Sequence, residues 1–200
     1  MKIFYVASTS KHKSGEIRQM LAPLGYDVRD LTEFSDYIPP EETGATFLDN
    51  ARIKAHAFKS YLDQLTTNKA AILADDSGLE CDDLDGAPGV YSARYSGVNA
   101  TDTTNNLKLV SEIRKLQQPT YSARYVCALI ILTPDGVEKS IVETCEGQII
   151  FDPKGKSGFG YDPHFYLSEL GKTMAELTLE EKNRISHRGN AFKKLLADLA

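Results

Sequence analysis

A short apolar run, Ile72-Leu73-Ala74, leads directly into the adjacent carboxylates Asp75 and Asp76 and then into Ser77-Gly78. The run predicts a buried strand, and ligands of α/β sheets bind where such strands end. Two neighbouring anions repel each other unless a cation or hydrogen-bond donors neutralise them. A simple turn is the alternative, because Asp, Ser and Gly favour turns. We predict a strand that ends at these carboxylates, with a second short strand over residues 79–84.

The length and composition are typical of a soluble globular protein. The 200 residues are 42% hydrophobic and 26% charged, which suits one domain with a substantial core. Acidic residues outnumber basic ones by 28 to 23, which argues against a nucleic-acid partner. The longest apolar run, Val126 to Leu132, is far shorter than the roughly 20 residues that cross a bilayer. We expect a single cytoplasmic domain over residues 1–200, with no membrane partner.

The cysteine pattern indicates structural thiols. Cys81, Cys127 and Cys145 are an odd number of cysteines and show no C-x-x-C spacing. Two of them lie in apolar, strand-like runs, so reduced core thiols of a cytosolic protein are the expected state.

A candidate anion site lies near the start of the chain. Residues 3–7 read as a buried strand, and Ser8-Thr9-Ser10-Lys11-His12-Lys13 then leads into a helical pattern that ends at Gly25. Backbone N–H groups and the helix dipole at such a position favour negative charge, and the hydroxyls and lysines add donors. An ordinary solvated helix start is the alternative.

A long helix over residues 46–62 carries one lysine in its apolar stripe. The stripe runs through Phe47, Ala51, Phe58 and Tyr61, and Lys54 falls in its middle. An inward-facing ammonium is costly unless an anion pairs with it, which favours a functional group here. The alternative is a side chain that snorkels outward along its methylene stem.

The clearest β pattern is a hairpin in the second half of the chain. Residues 121–133 and 137–151 read as long antiparallel strands, and Pro134-Asp135-Gly136 is a turn between them. A helix over residues 101–116 precedes the hairpin. Together these elements predict an α/β protein.

The last quarter combines two aromatics in a glycine-rich stretch with a basic cluster. Phe159, Gly160, Tyr161 and Asp162 place two rings among glycines, where they can stack on a flat ligand or belong to an awkward core turn. After a capping box at Thr178–Glu181, the chain carries Lys182, Arg184, His187 and Arg188. If Ser186 caps the final helix, two of these cations lie in its first turn, where a bound polyanion would stabilise them. A solvated basic patch is the alternative.

Five stretches together resemble one known family, the inosine triphosphate pyrophosphatases, also called Ham1-like or non-canonical purine NTP pyrophosphatases. They are Glu42-Thr43-Gly44-x-Thr46-Phe47-x-x-Asn50-Ala51, Ala74-Asp75-Asp76-Ser77-Gly78-Leu79, Gly86-Ala87-Pro88-Gly89-Val90-Tyr91-Ser92-Ala93-Arg94-Tyr95, Gly158-Phe159-Gly160-Tyr161-Asp162-Pro163 and Ile185-Ser186-His187-Arg188-Gly189. The similarity spans nearly the whole chain. It implies Mg²⁺-dependent hydrolysis of ITP, dITP or XTP to the monophosphate and pyrophosphate. It also implies a two-lobed α/β fold with a long mixed, twisted sheet flanked by helices, a substrate cleft between the lobes, and a homodimer.

The resemblance also implies roles for individual residues. Asp76 would be the general base and, with Asp75 and Glu42, would form an acidic metal site. The residues expected to bind the substrate are Ser8, Thr9, Ser10, Lys11, His12, Lys13 and Lys54 on the phosphates, Ser77, and Phe159, Gly160, Tyr161, Asp162, Lys182, His187 and Arg188 around the base. One departure is Ser10, where the family usually has asparagine after Thr-Gly. A hydroxyl can donate to the same oxygens, so activity is still expected.

Two other functions stay open at this point. A Maf-like pyrophosphatase that acts on pyrimidine or modified nucleotides would use similar chemistry on other bases. A nucleotide-binding regulator with a silent site would need no base, and the complete set of Asp75, Asp76, Glu42 and Lys13 argues against it. Adjacent side chains on a regular strand point to opposite faces. Either the strand bends at the two aspartates, or one of the two carboxylates acts from behind the other without touching the metal.

Overall fold

The computed structural model describes residues 2–65 and 70–199. The strands are β1 (Lys2–Val6), β2 (Tyr26–Asp30), β3 (Ala71–Cys81), β4 (Ser122–Leu132), β5 (Glu138–Ile149), β6 (Phe165–Leu167) and β7 (Lys172–Thr173). The helices are α1 (Lys11–Leu21), α2 (Phe47–Leu65), α3 (Asp102–Arg114), α4 (Leu179–Ile185) and α5 (His187–Leu199). The predicted domain of residues 1–200 includes residues 1, 66–69 and 200, which lie outside the described residues, and its extent stays a prediction.

The described strands form a mixed seven-stranded sheet in the order β2-β1-β3-β4-β5-β6-β7. Strand β1 pairs in parallel with both β2 and β3, whereas β6 pairs antiparallel with β5 and β7. The predicted α/β class and mixed sheet are therefore confirmed. Within residues 2–65 and 70–199, no helix has the length and apolar character that a bilayer crossing requires.

The chain divides into two compact units. Unit 1 comprises Met1–Asp76, Cys127–Val142 and Lys194–Ala200, and unit 2 comprises Ser77–Val126 and Glu143–Lys193. The chain passes from unit 1 to unit 2 inside β3, between Asp76 and Ser77.

Unit 1 has a core in which α2 packs on the sheet. One face of α2 supplies Ala51, Ala55 and Phe58, and β3 supplies Ile72 and Ala74 to the same cluster. The alanines let the helix approach the strand closely, while Phe58 fills the space beside them. The predicted apolar stripe of α2 is thus the face that the unit buries.

Unit 2 has its own core between its part of the sheet and α3. Leu109 and Ile113 of α3 pack with Tyr125 of β4, Phe165 of β6 and Tyr161 of the preceding loop. Hydrophobic burial of this kind is the main favourable term in folding. It places the loop after Gly158 against a rigid cluster.

Strand β3 differs from the prediction, because it does not end at the carboxylates. Residues 71–81 form one continuous strand, so neither the end at Asp76 nor the separate strand after it is correct. Gly78 allows a close approach rather than a turn, since a Cβ there would lie 2.3 Å from Ser92 Oγ. Tertiary packing has overridden the local preference for a turn.

The other elements follow their predicted positions closely. The hairpin strands β4 and β5 begin and end within two residues of the predicted bounds. Gly25 has φ +82°, and this left-handed conformation closes the segment after α1. The short strands β6 and β7 were not predicted, because three and two residues are too few for a periodic pattern.

Candidate active site

The predicted phosphate loop connects β1 to α1. Ser10 is the N-cap of α1, and its side chain accepts a 3.4 Å hydrogen bond from the backbone N–H of Lys13. Ser8 Oγ accepts from the backbone N–H of Ser10 at 3.1 Å, which tightens the loop. Thr9, Lys11 and His12 are exposed around this helix start. The loop therefore has the position and chemistry of an anion site.

Lys13 points from α1 to the first carboxylate of the strand. Its Nζ lies 2.6 Å from Asp75 Oδ1, and the Asp75 side chain is fully buried. The second oxygen of Asp75 accepts a hydrogen bond from Cys127 Sγ at 3.3 Å. Both oxygens of this buried carboxylate thus have donors, as a charge in a low-dielectric environment requires.

Lys54 joins the other two predicted acidic residues. Its Nζ lies 2.8 Å from Asp76 Oδ1 and 3.2 Å from Glu42 Oε1. The inward-facing ammonium that the helix pattern predicted is therefore paired, and the snorkelling alternative is wrong. Glu42 reaches it from the loop before α2, which Gly44 anchors by donating its N–H to Asn50 Oδ1 at 2.7 Å.

Burial and charge shift the proton affinities of this pair. Burial raises the pKa of the Asp76 carboxyl above its ordinary value, although Lys54 and Lys13 act to lower it. Burial lowers the pKa of Lys54, but Asp76 and Glu42 outweigh that effect, and the pKa of the ammonium is raised. Asp76 is thus a stronger base than an ordinary aspartate beside a firmly protonated lysine.

The two aspartates face different elements. Asp76 has the same parity along β3 as Ile72 and Ala74, which pack on α2, and it pairs with Lys54 of that helix. Asp75 has the opposite parity and pairs with Lys13 of α1. The period-2 alternation of a regular strand explains the separation. The two carboxylates therefore pair with different lysines.

In unit 2 another buried carboxylate, Asp162, holds the aromatic loop. Asp162 Oδ2 accepts from Lys182 Nζ at 2.7 Å and from the backbone N–H of Phe159 at 3.0 Å. Its Oδ1 accepts from the hydroxyl of Tyr125 at 3.0 Å. The Asp162 and Lys182 side chains are only 3% and 5% exposed. Asp162 therefore supports the loop and neutralises a lysine at the same time.

The two rings of the loop differ. Phe159 is half-buried, and Lys182 Nζ lies 4.6 Å from the centre of its ring, within cation–π range. Tyr161 belongs to the unit 2 core, and its hydroxyl donates to the backbone oxygen of Ser92 at 2.8 Å. Phe159 is thus the more exposed of the two rings, whereas the Tyr161 side chain has the environment of a core aromatic.

The predicted basic cluster lies where α4 passes into α5. Ser186 Oγ accepts from the backbone N–H of Gly189 at 3.1 Å, which confirms it as the cap of α5. Arg188 is 1% exposed and donates to Ser77 Oγ at 2.9 Å. The His187 ring stacks on Tyr125, with centroids 4.8 Å apart. Burial excludes the solvated-patch alternative for these two residues.

Comparison with known proteins places the chain. A sequence model of the Ham1 family matches residues 4–198. The chain belongs to the Ham1 family. A relative from Exiguobacterium sibiricum, named dITP/XTP pyrophosphatase, is 47% identical over all of this chain and 97% of its own length. A Bacillus subtilis protein with the same name is 43% identical over 98% of this chain and 96% of its own length.

Solved structures agree with this placement. The structure of a HAM1 protein from Coxiella burnetii is 37% identical, has a TM-score of 0.86, and covers all of this chain and 98% of its own. The Staphylococcus aureus Ham1 protein is 38% identical with a TM-score of 0.85, over 99% and 98% of the two chains. The present Ham1-family chain therefore shares the fold of those proteins.

Two carboxylates of this Ham1-family protein are of the kind that divalent cations bind. Asp76 and Glu42 offer the hard oxygen ligands that Mg²⁺ prefers, and Mg²⁺ commonly takes one or two protein carboxylates and completes its shell with phosphates and water. In residues 2–65 and 70–199, no group of three or more His, Cys, Asp or Glu side chains is arranged to hold a metal ion. Lys54 Nζ stands between the two carboxylates instead. Two carboxylates are therefore what this cluster could offer a divalent cation, and the other ligands would have to come from outside the protein.

Sequence reasoning missed two residues of these clusters. Cys127 was assigned only to the core, and Tyr125 was not singled out, yet they bond to Asp75 and Asp162. Both lie in the apolar run of β4, where hydrophobicity hides any polar role. Their partners lie 52 and 37 residues away along the chain, so no local spacing could have revealed them.

Proposed function

We propose that this Ham1-family protein is a nucleoside triphosphate pyrophosphatase that hydrolyses ITP, dITP and XTP to the monophosphate and pyrophosphate. Relatives of nearly equal length carry the name dITP/XTP pyrophosphatase, which supports this substrate class. The observation that carries the proposal is the buried Asp76, a carboxylate of raised pKa paired with Lys54 beside Glu42. Such a group suits proton abstraction from water.

In the proposed reaction, a water oxygen attacks the α-phosphorus and the bond to the bridging oxygen of pyrophosphate breaks. Asp76 accepts the proton of the attacking water, and its raised pKa makes it a better acceptor than an ordinary aspartate. Lys13 and Lys54 supply positive charge for the phosphates, with the Ser8–Ser10 hydroxyls and the start of α1, including Lys11 and His12, as further donors.

Mg²⁺ is the proposed cofactor, held by Asp76 and Glu42. When bound, it would offset the negative charge of the triphosphate during in-line displacement. A metal role for Asp75 stays a prediction, and Lys13 and Cys127 already donate to its two oxygens.

Base selection is proposed for the polar and aromatic groups of unit 2. Phe159 would stack on the base, flanked by Gly160, Tyr161 and Asp162, while Lys182, His187 and Arg188 would reach its edge and Ser77 would also contact the substrate. Donors aimed at O6 of an oxo-purine would face the N6 amino group of adenine, which is itself a donor. Unpaired buried donors are costly, so adenine nucleotides would be rejected.

The direct test measures pyrophosphate release from ITP with and without Mg²⁺. We expect turnover with the metal, loss of turnover in EDTA, and loss of turnover in Asp76→Asn with the fold retained. Asp83→Asn, a change at an exposed position, is the matched control and should keep full activity. An active Asp76→Asn protein would remove the residue from its role. Release from pyrimidine triphosphates instead of ITP would favour the Maf-like alternative, and ITP binding without turnover would favour the silent regulator.

A homodimer and a cytoplasmic location belong to the same proposal. Sedimentation at micromolar concentration should give about twice the mass of the 22.1 kDa chain. A monomer that retains full turnover would contradict the dimer without affecting the proposed chemistry.

A further inference from the structure

The first turn of α3 holds the aromatic loop by one of its peptide units. Asp102 Oδ2 accepts from the backbone N–H of Gly160 at 2.6 Å. Asn106 Nδ2 donates to the backbone oxygen of Gly160 at 2.8 Å. Two side chains one helical turn apart therefore engage both the N–H and the C=O of a single glycine. We call Asp102 and Asn106 the α3 clamp.

The clamped glycine belongs to a pair of glycines with positive φ that flank Phe159. Gly160 has φ +63° and Gly158 has φ +77°, so the residues on both sides of Phe159 adopt the left-handed conformation. A Cβ on Gly158 would lie 2.0 Å from Asp162 Oδ2, which leaves no alternative residue at that position. Because glycine backbones are flexible in the unfolded chain, this conformation persists only where other groups hold it.

The position of Asn106 is costly, which indicates a specific need for its amide. It is 9% exposed, and among the described residues its Oδ1 has no hydrogen-bond partner. The Nδ2 group donates both to Gly160 O and, at 2.8 Å, to Asp102 O within the helix. An orphaned buried acceptor costs free energy. Within the described part of the chain, Asn106 thus leaves its own oxygen without a partner while its Nδ2 group donates to two backbone oxygens.

Helix α3, which carries the clamp, is itself held in place at its start and by its core residues. A capping box between Thr101 and Thr104 fixes its start, and Leu109 and Ile113 anchor it in the unit 2 core. The neighbouring Asn105 points elsewhere, since its Nδ2 donates to the backbone oxygens of Ser92 and Ala93. Adjacent asparagines of one helix thus tie two different loops to α3.

We infer that Asp102 and Asn106 are positioning residues that set the Phe159 ring, and through it the affinity for the purine base. This rests on the proposed function, in which Phe159 stacks on the base. Neither residue needs to contact the substrate. Loosening the clamp should weaken base binding and leave the phosphate chemistry of unit 1 unaffected.

The test compares variants of the clamp in four measurements. These are KM and kcat for ITP, affinity for IMP, affinity for inorganic pyrophosphate, and the melting temperature. Asn106→Leu keeps the volume without the donor, and Asn106→Asp turns the donor into an acceptor that faces carbonyl oxygens. Asp102→Ala removes the exposed acceptor, and Asp102→Asn restores an oxygen that can accept. Thr103→Leu, at an exposed position of the same turn, is the matched control.

We expect Asn106→Leu, Asn106→Asp and Asp102→Ala to raise KM for ITP and weaken IMP binding by about tenfold, the usual scale for losing one well-placed hydrogen bond. Pyrophosphate affinity and kcat should stay within about twofold, since hydrogen bonds outside the reacting centre act mainly on binding. Asp102→Asn and Thr103→Leu should behave like the unchanged protein. If Asn106 variants do not fold, the exposed Asp102 pair carries the test.

Other outcomes would overturn the inference. Equal losses of IMP and pyrophosphate affinity would indicate a general structural role, and unchanged IMP affinity in Asp102→Ala and Asn106→Leu would show that the clamp does not set the ring. Failure of the proposed function is separate, because it appears as absence of pyrophosphate release from ITP by the unsubstituted protein. The IMP measurement tests the clamp whatever the turnover.

Discussion

Single residues in this protein act through buried partners. Asp75, Asp76 and Asp162 are 1%, 6% and 2% exposed, and each lies within 2.8 Å of a lysine Nζ. A charge can stay buried only if its pairing offsets the lost hydration. These three buried carboxylate–lysine pairs among the described residues carry a large desolvation cost. We expect them to serve binding and catalysis more than stability, since buried ion pairs are weak stabilisers.

Cys127 should affect substrate binding through its hydrogen bond to Asp75. Removing its thiol in Cys127→Ala leaves Asp75 with one fewer donor and loosens the carboxylate that holds Lys13. We expect KM for ITP to rise about threefold and stability to fall by about 1 kcal/mol, the scale of one net hydrogen bond. Cys127→Ser should restore KM. Steady-state kinetics and urea unfolding measure both effects.

Cys145→Ala is the matched control for this change. Cys145 is another buried thiol, 8% exposed, in the unit 2 core. Its loss should lower stability by a similar amount without changing KM. Equal KM values in all three variants would show that Cys127 only fills space.

Lys182 should be far more costly to remove than a surface lysine with the same geometry. Lys182→Met leaves Asp162 as an uncompensated buried charge, which costs about 3–5 kcal/mol of unfolding free energy. Lys59 lies 2.6 Å from Asp63, but their side chains are 36% and 62% exposed. Lys59→Met should therefore cost at most about 0.5 kcal/mol. Similar losses in urea unfolding of the two variants would contradict this dependence on burial.

At the scale of elements, the alternating side-chain directions of β3 bring its consecutive polar residues to different helices. One strand supplies Asp75 to α1, Asp76 to α2, and Ser77, which bonds to Arg188 at the start of α5. A turn at Asp-Asp-Ser-Gly would have ended this register. The continuous strand therefore explains how consecutive residues reach three helices.

Two side chains of α2 also contact one carboxylate of β5 at the surface. Arg52 Nε and His56 Nε2 lie 2.9 and 2.7 Å from the two oxygens of Glu138. The hydrogen bonds of His56 and Arg52 lower the pKa of Glu138 below its ordinary value of 4.5. A carboxyl with a lowered folded-state pKa stabilises the protein above its unfolded-state pKa. That contribution disappears as the pH falls through the folded-state value.

Glu138→Gln should therefore lower stability at neutral pH only. We expect a loss of about 0.5 kcal/mol at pH 7, typical of an exposed ion pair, and a shrinking difference below pH 4.5. Urea unfolding at pH 7 and pH 3.5 measures it, with the exposed Glu169→Gln as control. A difference that grows as the pH falls would contradict the assignment.

At the scale of the whole molecule, a net negative chain is proposed to bind a polyanion. The formal charge is −5, and the two candidate clusters bring Lys13, Lys54, Lys182 and Arg188 together with the carboxylates Asp75, Asp76, Glu42 and Asp162. Local charge rather than net charge decides affinity for a small ligand, because solvent and salt screen distant charges.

The choice among purine triphosphates tests the proposed function of the whole protein. We expect kcat/KM for ITP and XTP to exceed that for ATP by at least about a hundredfold, because adenine leaves buried donors unpaired. Guanine also carries an oxygen at position 6, so GTP measures selection at position 2 separately. Equal cleavage of ATP and ITP by the purified protein would overturn the proposed base recognition.

The order of the amino acids was enough to predict the α/β class, most element positions and the charged groups of the candidate site. Hydrophobic periodicity and capping residues are local signals, so α2, the β4–β5 hairpin and the Ser186 cap were all predictable. The motifs also identified the family, and the position of Lys54 in an apolar stripe favoured an anionic partner over a snorkelling side chain.

The pairing of the charged groups became visible only in the folded protein. The partners of Asp75 and Asp162 include Lys13, Cys127, Tyr125 and Lys182, all distant in sequence, and β3 continues where local preference favours a turn. The α3 clamp on Gly160 joins residues 58 and 54 positions apart. Pairing across such separations depends on burial and packing, because a short sequence window contains neither the partner nor the desolvation that makes the pair necessary.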